Sequence, residues 1–307
     1  MTRADIGSVA VVGPGGVGGL LAALIARTGM AVTCIGTERS AAHLRTHPLA
    51  VRSRVFGDFE VPVAAASRLD TEHDAVLLTV KATQLAETLP RVPASAVGRA
   101  LVVPFLNGVE HVAGLREVYP AEQVIAATIR CESTRVAPGV IEHSSPFASV
   151  ELAPGPDPDG RARALARLLT GAGIDVRLRD DETDMLWEKL GFLAPLALLT
   201  THAGAPAGIV RTRRRPELET VIGEVATVAR AAGAGVDEAR VLEFFDGIPA
   251  SMESSMQRDA AVGRPTELEA IGGAVLRAAR RTGTPAPATA ALVEDLRRRT
   301  AARSTAR

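Results

Sequence analysis

Net charge, aromatic side chains and cysteine are all scarce in this sequence of 307 residues. Its 35 basic residues balance its 35 acidic residues, so the chain has no overall field that would attract nucleic acid or an anionic membrane. Aromatic residues make up only 3% of the chain, which argues against a platform for stacking nucleic-acid bases. The expected partner is therefore a small molecule that is bound locally, and not a nucleic acid.

Long apolar runs are missing as well. The opening residues, "MTRADIGSVAVVGPGG", do not have the form of a signal peptide, and no segment reaches the roughly 20 apolar residues needed to span a bilayer. We therefore expect a cytoplasmic protein that has no membrane partner.

Cysteine and histidine give no sign of a metal. Cys34 and Cys131 lie far apart and each follows a strand-like run, so we interpret both as small buried hydrophobes and not as a disulfide or metal pair. His43 and His47 are spaced four apart, but they lack a third ligand nearby and run into Pro48. We therefore expect no metal site in this protein.

The first half of the chain has the pattern of an α/β domain. Short apolar runs alternate with helical segments, which is typical of parallel strands buried on both faces in a doubly wound sheet. These runs cover 8–13, 31–36, 75–80, 101–106 and 124–130. Beyond them, residues 140–153 suggest a closing antiparallel pair, 160–173 a last helix ending at Gly171 or Gly173, and 174–180 a last strand.

From about residue 181 the pattern becomes entirely helical. Helices are predicted over 182–203, 216–233, 237–245, 266–282 and 287–300. We therefore expect two domains, 1–180 and an all-helical 181–307, in keeping with the length of the chain. The arginine-rich "RTRRRPELE" favours a solvated turn before a proline-initiated helix over a nucleic-acid patch.

A glycine-rich turn follows the first predicted strand. Gly13, Gly15 and Gly18 have the spacing G-x-G-x-x-G, in which the glycines allow a tight turn, close approach of a pyrophosphate and close helix packing. The helix that opens at Gly16 and Val17 supplies free backbone amides and a partial positive charge. In this strand-turn-helix context the motif predicts that a dinucleotide binds here.

The second strand bears on which dinucleotide is bound. It ends in "CIGTERS", where the hydroxyl of Thr37 and the guanidinium of Arg39 suit a 2'-phosphate, whereas Glu38 would repel one if it pointed inward. We predict NADPH, with NADH as the alternative.

Polar residues also follow two later strands. Lys81 stands at the carboxyl end of "AVLLTV", and Asn107 and Gly108 stand at the end of "LVVPFL". Ligands of open α/β sheets lie beyond such strand ends, so both side chains could face a nicotinamide. The alternative is that they are ordinary polar residues that begin loops.

Together with "LWEKL" (186–190), "AGAPAGIVR" (203–211) and "SSMQRDAAVGRPTELEAI" (254–271), these segments resemble the ketopantoate reductase family over nearly the whole chain. The resemblance implies an N-terminal Rossmann-type doubly wound domain followed by an all-helical C-terminal domain. It also implies a cleft between them that holds NADPH and a 2-oxo acid.

The resemblance assigns roles to five residues. Lys189 matches the family's catalytic lysine, which protonates the carbonyl oxygen, and Glu267 matches its acidic partner. Ser255 matches a serine near the substrate carboxylate. Asn107 matches the asparagine that contacts cofactor and substrate, and Lys81 a lysine beside the nicotinamide.

Each of the two catalytic assignments has an alternative in which the residue has only a structural role. Lys189 could snorkel from an apolar helix, although a positioned ammonium would stabilise an alkoxide and deliver its proton. Burial would lower the pKa of such a lysine and a nearby carboxylate would raise it. Glu267 could instead be an acid that favours a helix N-terminus, in a capping segment with Thr266 as N-cap and Glu269 at N3.

The sequence departs from the family pattern at three positions. Leu193 and Ala197 replace asparagines that help bind the substrate, and Thr37 replaces the usual arginine for the 2'-phosphate. A site that loses hydrogen-bonding groups loses discrimination for a polar substrate. The chain is accordingly identified as a divergent member of the family.

The function that we expect is NADPH-dependent transfer of hydride to C2 of a 2-oxo acid, with ketopantoate reduced to pantoate as the best single reaction. One alternative is a paralogue that reduces a less polar 2-oxo acid or ketone. Another is a regulatory protein that binds NAD(P)H without turnover. An exposed apolar helix in the second domain could form a homodimer.

Overall fold

The computed structural model describes residues 5–305, with side chains through residue 302, so the few terminal residues of the two expected domains lie outside the described residues. The chain forms two compact units. The first contains the residues up to Leu106 together with His111–Glu182, and the second contains Asn107–Glu110 and the residues from Thr183 onward. No sequence pattern indicated that the four residues Asn107–Glu110 group with the helical part of the chain.

A five-stranded sheet forms the centre of the first unit, and all its neighbouring strands are parallel. The order is β5-β2-β1-β6-β7. The strands are β1 (Ser8–Val12), β2 (Ala31–Ile35), β5 (Ala64–Ala66), β6 (Ala75–Leu78) and β7 (Leu101–Pro104). The chain builds outward from β1 first on one side and then on the other, so the carboxyl end of β1 is the topological switch point where such sheets bind ligands. The predicted doubly wound sheet is confirmed, but the run predicted over 124–130 is not part of it, because Ala126–Arg130 pairs antiparallel with Ser149–Ala153 in a separate sheet.

Five helices connect these strands and the elements that follow. They are α1 (Gly16–Arg27), α2 (Glu38–Leu44), α3 (Leu85–Thr88), α4 (Ala94–Val97) and α5 (His111–Arg116). The apolar runs of β1, β6 and β7 are buried along their whole length, apart from the first residue of β1. Burial on both faces explains why these strands are continuous apolar runs in the sequence.

Two smaller sheets complete the first unit. One has the order β4-β3-β10-β9 and the other β12-β11-β8. Their strands are β3 (Leu49–Ser53), β4 (Phe59–Val61), β8 (Ala126–Arg130), β9 (Ser133–Ala137), β10 (Val140–His143), β11 (Ser149–Ala153) and β12 (Asp175–Leu178).

The predicted antiparallel pair within 140–153 is wrong. Strand β10 pairs with β9 and β3, whereas β11 pairs with β8 and β12 in the other sheet. Each strand already has a neighbour on both of its edges, so neither has an edge left for the other. In the connection between them, Ser145 Oγ donates to the Phe147 carbonyl at 2.7 Å. The helix α6 (Arg161–Gly171) ends at the predicted glycine.

Among the described residues, no three or more histidine, cysteine or acidic side chains form a group that could bind a metal ion. Cys34 is fully buried, and burial raises the pKa of its thiol to about 12. Cys131 is half-buried, and neither cysteine forms a disulfide. The rings of His43 and His47 stack with their centres 4.4 Å apart.

All the regular secondary structure in the described part of the second unit is helical, as predicted. Its helices are α7 (Glu182–Ala203), α8 (Ala207–Arg213), α9 (Arg215–Ala231), α10 (Glu238–Gly247), α11 (Ser255–Ala261), a π-helical segment (Glu269–Gly273), α12 (Ala274–Thr282) and α13 (Pro287–Thr305). Most of α7 is buried among the other helices, which is why it is apolar on every side.

The capping segment predicted before α12 is wrong. Helical structure begins at Leu268, two residues after Thr266. The carboxylate of Glu269 does not turn back toward the helix start, because it accepts hydrogen bonds from Arg297 Nε at 2.7 Å and from Arg297 Nη2 at 2.8 Å. A bidentate ion pair with a guanidinium is stronger than a capping hydrogen bond, so it decides where this side chain lies.

The arginine-rich stretch before α9 joins helices within the second unit. Arg214 binds Glu217 with two hydrogen bonds of 2.6 and 2.7 Å. Arg211 donates to three backbone carbonyls at the end of α10, and Arg215 pairs with Asp246 in the same region. Three of its guanidiniums therefore serve local packing, so this stretch is more than a solvated turn.

No single helix among residues 5–305 is long and apolar enough to cross a membrane. Helices α7 and α8 reach the length and apolar composition of a membrane span only when they are counted together, and an 88° bend separates them.

Candidate functional site

Gly13 makes the turn that follows β1. Its φ is +88°, and its amide donates to the carbonyl of Ile35 at 2.8 Å. A Cβ at this position would lie 2.6 Å from Val80 Cγ1. Both the backbone conformation and the space therefore require glycine, as the first position of the motif predicts.

Gly18 and Gly16 let α1 pack closely on its surroundings. A Cβ on Gly18 would lie 2.2 Å from Thr79 Oγ1 and 2.3 Å from the carbonyl oxygen of Gly13. One on Gly16 would lie 2.1 Å from the carbonyl oxygen of Ser133, on β9. The hydroxyl of Ser133 in turn donates to the Gly16 carbonyl at 2.9 Å. The absence of a side chain at Gly16 thus serves packing against a strand that the sequence did not indicate.

Gly15 differs from its neighbours because it faces open space. The nearest atom that a Cβ would meet is the carbonyl oxygen of Gly13, 3.9 Å away. The first turn of α1, which includes Gly16 and Val17, contains no acidic residue, and its amides precede any intrahelical acceptor. An open glycine beside a helix N-terminus without negative side chains fits the pyrophosphate of a dinucleotide.

The residues predicted to contact the ribose lie where β2 passes into α2. The hydroxyl of Thr37 caps α2 by accepting from the Ser40 amide at 3.2 Å. The exposed carboxylate of Glu38 is held by hydrogen bonds from Ser67 and Arg45, and these bonds lower its pKa. Part of the negative charge of Glu38 is therefore offset locally.

Two arginines lie at this end of β2. Arg39 is exposed in the first turn of α2, as expected from its position in the sequence. Arg91, which the sequence did not single out, donates to the carbonyl of Gly36 at 3.4 Å. The end of β2 thus gathers more positive charge than the motif "CIGTERS" alone suggests.

In the second unit, Lys189 lies on α7 and is half-buried between the buried Trp187 and Leu190. One turn further on, Leu193 is also half-buried, and Ala197 is fully buried in the helical core. Of the two departures from the family pattern that lie on α7, only Leu193 has surface that a ligand could contact in this conformation.

Ser255 is exposed as the first residue of α11. Its neighbour Ser254 is buried and caps this helix, because its hydroxyl accepts from the Gln257 amide at 3.0 Å. Ser254 Oγ also lies 2.9 Å from Thr200 Oγ1 on α7. These bonds fix the start of α11 and leave the hydroxyl of Ser255 at the surface.

Asn107 and Glu267 come together although 160 residues separate them. Asn107 Nδ2 donates to Glu267 Oε2 at 3.0 Å, and Glu267 is only 6% exposed. Gly108 makes the approach feasible, because its φ is +92° and a Cβ on it would lie 2.3 Å from the carbonyl oxygen of Ala270. Two of the predicted site residues are therefore direct partners.

A compositional signal for these positions lies in the sequence. Of the 35 basic residues 33 are arginine, and the two lysines are Lys81 and Lys189. Asn107 is the single asparagine of the chain. Lys81 is half-buried just beyond β6. A chain that uses arginine almost everywhere keeps lysine at two candidate site positions, and the two side chains are not chemically interchangeable.

Comparison with protein families decides the relationship. The family described as "Ketopantoate reductase PanE/ApbA" matches residues 9–156, and its C-terminal counterpart matches residues 182–300. The chain belongs to the ketopantoate reductase family. It is accordingly an oxidoreductase that depends on a nicotinamide cofactor, and the predicted resemblance is confirmed.

Curated relatives match over most of their length. An "Uncharacterized oxidoreductase YkpB" of Bacillus subtilis is 30% identical over 90% of this chain and 93% of the relative. A 2-dehydropantoate 2-reductase of Mycobacterium tuberculosis is 30% identical over 93% of this chain and 95% of the relative.

Solved structures share the fold across both units. The 2-dehydropantoate 2-reductase from Methylococcus capsulatus has a TM-score of 0.84 at 25% identity, covering 94% of this chain and 96% of that one. A D-mandelate dehydrogenase solved with NADH and anilino(oxo)acetate has a TM-score of 0.88 at 21% identity, covering 96% and 99%. The second likeness concerns the fold alone.

Proposed function

We propose that this member of the ketopantoate reductase family is a cytoplasmic, NADPH-dependent reductase of a 2-oxo acid, with Lys189 as general acid. Ketopantoate, reduced to pantoate, is the substrate that we propose first. The observation that carries the proposal is the 3.0 Å hydrogen bond between Asn107 and Glu267, which joins two residues of the expected site across 160 positions of sequence.

Lys189 would supply the proton. The bound nicotinamide supplies hydride to C2 of the substrate, and the carbonyl oxygen then carries a negative charge. A lysine ammonium can both stabilise that charge and give up a proton, whereas an arginine stays protonated. The restriction of lysine to Lys81 and Lys189 in a chain with 33 arginines supports this role.

Glu267 and Asn107 would order the polar end of the site. A buried carboxylate needs hydrogen-bond donors, and Asn107 provides one to Glu267 Oε2. The bond also fixes which way the Asn107 amide is turned, because only its nitrogen can donate to a carboxylate. The amide oxygen of Asn107 is thereby oriented away from Glu267, where it can accept a hydrogen bond from a ligand.

The first unit would hold the cofactor. Gly15 and the amides of Gly16 and Val17 suit the pyrophosphate, with Gly13 and Gly18 shaping the turn. Thr37 and Arg39 suit the ribose 2'-phosphate, and the local pairing of Glu38 with Arg45 reduces the repulsion that a phosphate would meet. We propose NADPH on these grounds, with NADH as the alternative, and Lys81 beside the nicotinamide.

A less polar 2-oxo acid is the second candidate substrate, and Leu193 is the observation that favours it. This side chain is half-buried where the family pattern has an amide, so it offers apolar surface in place of a hydrogen bond. Ala197 is fully buried and would act indirectly, by leaving out a polar group. Ser255 would bind the carboxylate that both candidate substrates share.

The experiment follows oxidation of NADPH and of NADH with ketopantoate and with a panel of apolar and branched 2-oxo acids. Lys189→Ala is expected to lower kcat by about 10²- to 10⁴-fold, the usual contribution of a general acid. Lys189→Arg is the matched control, because it keeps the positive charge but cannot donate the proton. We expect it to bind substrate and to recover only the part of kcat that comes from charge stabilisation, so that it remains far slower than the intact protein.

The substrate panel separates the two candidates. Leu193→Asn is expected to raise kcat/KM for ketopantoate and to lower it for apolar 2-oxo acids if Leu193 determines specificity. Turnover that persists in Lys189→Ala contradicts the general-acid role. Tight NADPH binding with no turnover of any 2-oxo acid contradicts the proposed substrate class.

A homodimer stays a prediction for the second unit. Ile209 on α8 and Phe244 on α10 are 37% and 44% exposed, which leaves apolar surface for a second copy.

A further inference from the structure

The segment Asn107–Glu110 is anchored in the second unit by an ion pair next to the Asn107–Glu267 bond. The Glu110 carboxylate accepts from Arg277 Nε at 3.0 and 3.1 Å and from Arg277 Nη2 at 2.6 Å. Arg281 adds a weaker contact of 3.3 Å to the same carboxylate. Glu110 lies three residues after Asn107, so this pairing fixes the segment close to its functional side chain.

The guanidinium of Arg277 also binds the other side of the candidate pair. Its Nη2 donates to the backbone carbonyl of Glu269 at 2.7 Å. Glu269 begins the π-helical segment and lies two residues after Glu267. One nitrogen of Arg277 therefore contacts both Glu110 and the backbone beside Glu267, and so links the two chain segments that carry Asn107 and Glu267.

Local packing makes this link close. A Cβ on Gly273 would lie 2.5 Å from Glu269 Oε2 and 3.0 Å from Arg277 Nη1, so the guanidinium lies directly against the π-helical backbone. A π-helical turn disrupts the regular hydrogen-bond ladder and occurs often at functional sites. Arg277 supplies a donor to a carbonyl of this irregular turn, which stabilises it.

We propose that Arg277 is a positioning residue that holds Asn107 and Glu267 in hydrogen-bonding register by binding Glu110 and the Glu269 carbonyl together. The inference rests on the proposed function for its effect on turnover, but its structural content is independent of the substrate. Arg277 acts on the site through Asn107 and Glu267 and is not assigned a contact with the ligand.

Arg297 provides a matched control. It too is an arginine of the second unit with a bidentate bond to Glu269, at 2.7 and 2.8 Å, but it contacts the side chain of Glu269 on the α13 side. No hydrogen bond or ion pair of Arg297 to residues 107–110 occurs among the described side chains. Arg297→Met therefore removes a comparable ion pair without cutting the link to Asn107.

The first readout observes Asn107 directly. Because the chain has a single asparagine, labelling with ¹⁵N-asparagine gives one pair of side-chain amide signals. In the intact protein we expect the chemical shifts of these signals to differ from those of a solvated amide, and the amide hydrogens to exchange slowly with solvent. Arg277→Met is expected to move them toward solvated values and to speed exchange at least tenfold, while Arg277→Lys restores them in part and Arg297→Met leaves them in place.

The second readout is steady-state turnover. We expect Arg277→Met to lower kcat about tenfold with KM for NADPH unchanged, and Arg297→Met to change kcat less than twofold. In an Asn107→Ala background the Arg277→Met change is expected to add little, because the side chain that Arg277 positions is already absent. Thermal unfolding of each variant establishes that it is folded.

The outcomes separate the inference from the proposed function. Unchanged amide signals in folded Arg277→Met, or equal effects of Arg277→Met and Arg297→Met on those signals, overturn the positioning role. If the intact protein reduces none of the 2-oxo acids, the proposed function fails, and the amide signals alone still decide the role of Arg277. Should Arg277→Met not fold, Arg277→Lys gives the same comparison, since one ammonium cannot bind Glu110 and the Glu269 carbonyl with the geometry of a guanidinium.

Discussion

Two glycine turns, each following a strand of the parallel sheet, invite comparison. Gly13 follows β1 and Gly108 follows β7, and their φ values are nearly equal at +88° and +92°. A Cβ would collide in both, with Val80 in the first case and with the Ala270 carbonyl in the second. The first turn presents backbone amides, whereas the second presents the side chain of Asn107.

The difference lies in what holds each turn. All the contacts of the Gly13 turn come from sequence-local elements of the first unit or from strands beside it. The Gly108 turn is held by groups about 160 residues away, through Glu267, Ala270 and Arg277. A backbone site needs only glycine and close packing, while a side-chain site also needs charged partners that fix its orientation. The variants below test that distinction.

The largest effect on stability is expected from Gly108→Ala. The new methyl group would meet the carbonyl oxygen of Ala270 at 2.3 Å and the residue would keep a positive φ, so we expect a loss of about 3 kcal/mol in the free energy of unfolding. Urea unfolding measures the loss, and the asparagine amide signals report whether Asn107 moves with the turn.

Gly233→Ala is the control for this variant. Gly233 lies in the same unit and has a φ of +90°, but a Cβ on it would meet nothing within 4 Å. Gly233→Ala should therefore lower the free energy of unfolding only by the cost of a positive φ at alanine, about 1 kcal/mol. Equal losses in the two variants would mean that backbone conformation alone, and not contact with Ala270, requires glycine at position 108.

An intermediate effect is expected at the glycine turn that follows β1, where Gly18→Ala and Gly15→Ala should separate packing from cofactor binding. In Gly18→Ala the methyl group would clash with Thr79 and with the Gly13 carbonyl, which we expect to cost about 2 kcal/mol of stability. In Gly15→Ala the nearest atom is 3.9 Å away, so stability should change by less than about 0.5 kcal/mol.

Binding of the cofactor should follow the opposite order. Gly15→Ala is expected to weaken NADPH binding at least tenfold, or about 1.4 kcal/mol, because the methyl group would occupy the open face where the pyrophosphate is expected to approach. Calorimetric titration of each folded variant with NADPH measures this. Full NADPH affinity in Gly15→Ala would place the phosphates elsewhere than on this turn.

The comparison also explains how much the sequence could tell. The parallel sheet and the glycine turn after β1 were predictable because each depends on neighbouring residues: apolar runs, glycine spacing and a following helix. Strand β9 was missed because it is an exposed edge strand, "STRVA", with no apolar run to indicate it. The pairing of β10 and β11 was wrong because both edges of each strand are occupied by other strands, and the two neighbours of β10, β9 and β3, were not predicted.

The helical site was predictable as a set of residues but not as an arrangement. Family resemblance named Asn107, Glu267 and Lys189, and the scarcity of lysine and asparagine would have pointed to Asn107 and Lys189 but not to Glu267. Neither signal could show that Asn107 binds Glu267, or that Glu110 meets Arg277 across 167 residues. Such contacts follow from helix packing, which leaves no periodic trace in the sequence.

The smallest effect is expected from Glu110→Gln, and it should depend on pH. Burial opposes ionisation of Glu110, but hydrogen bonds and charge from Arg277 and Arg281 outweigh it and hold its pKa below the usual value. A carboxylate with a lowered pKa in the folded state contributes stability above its unfolded pKa of about 4.3, and that contribution is lost as the pH falls through the folded pKa.

The size of this contribution is limited because the Glu110 side chain is 36% exposed. Solvent screening should reduce the loss in Glu110→Gln to about 0.5 kcal/mol at neutral pH, smaller still at high salt and absent in acid. Unfolding in urea at several pH values measures the difference from the intact protein, with the exposed Glu243→Gln as control. If the difference persists below the folded pKa, shape and not charge joins Glu110 to Arg277, and the contrast between a turn held by packing and a turn held by ion pairs does not stand.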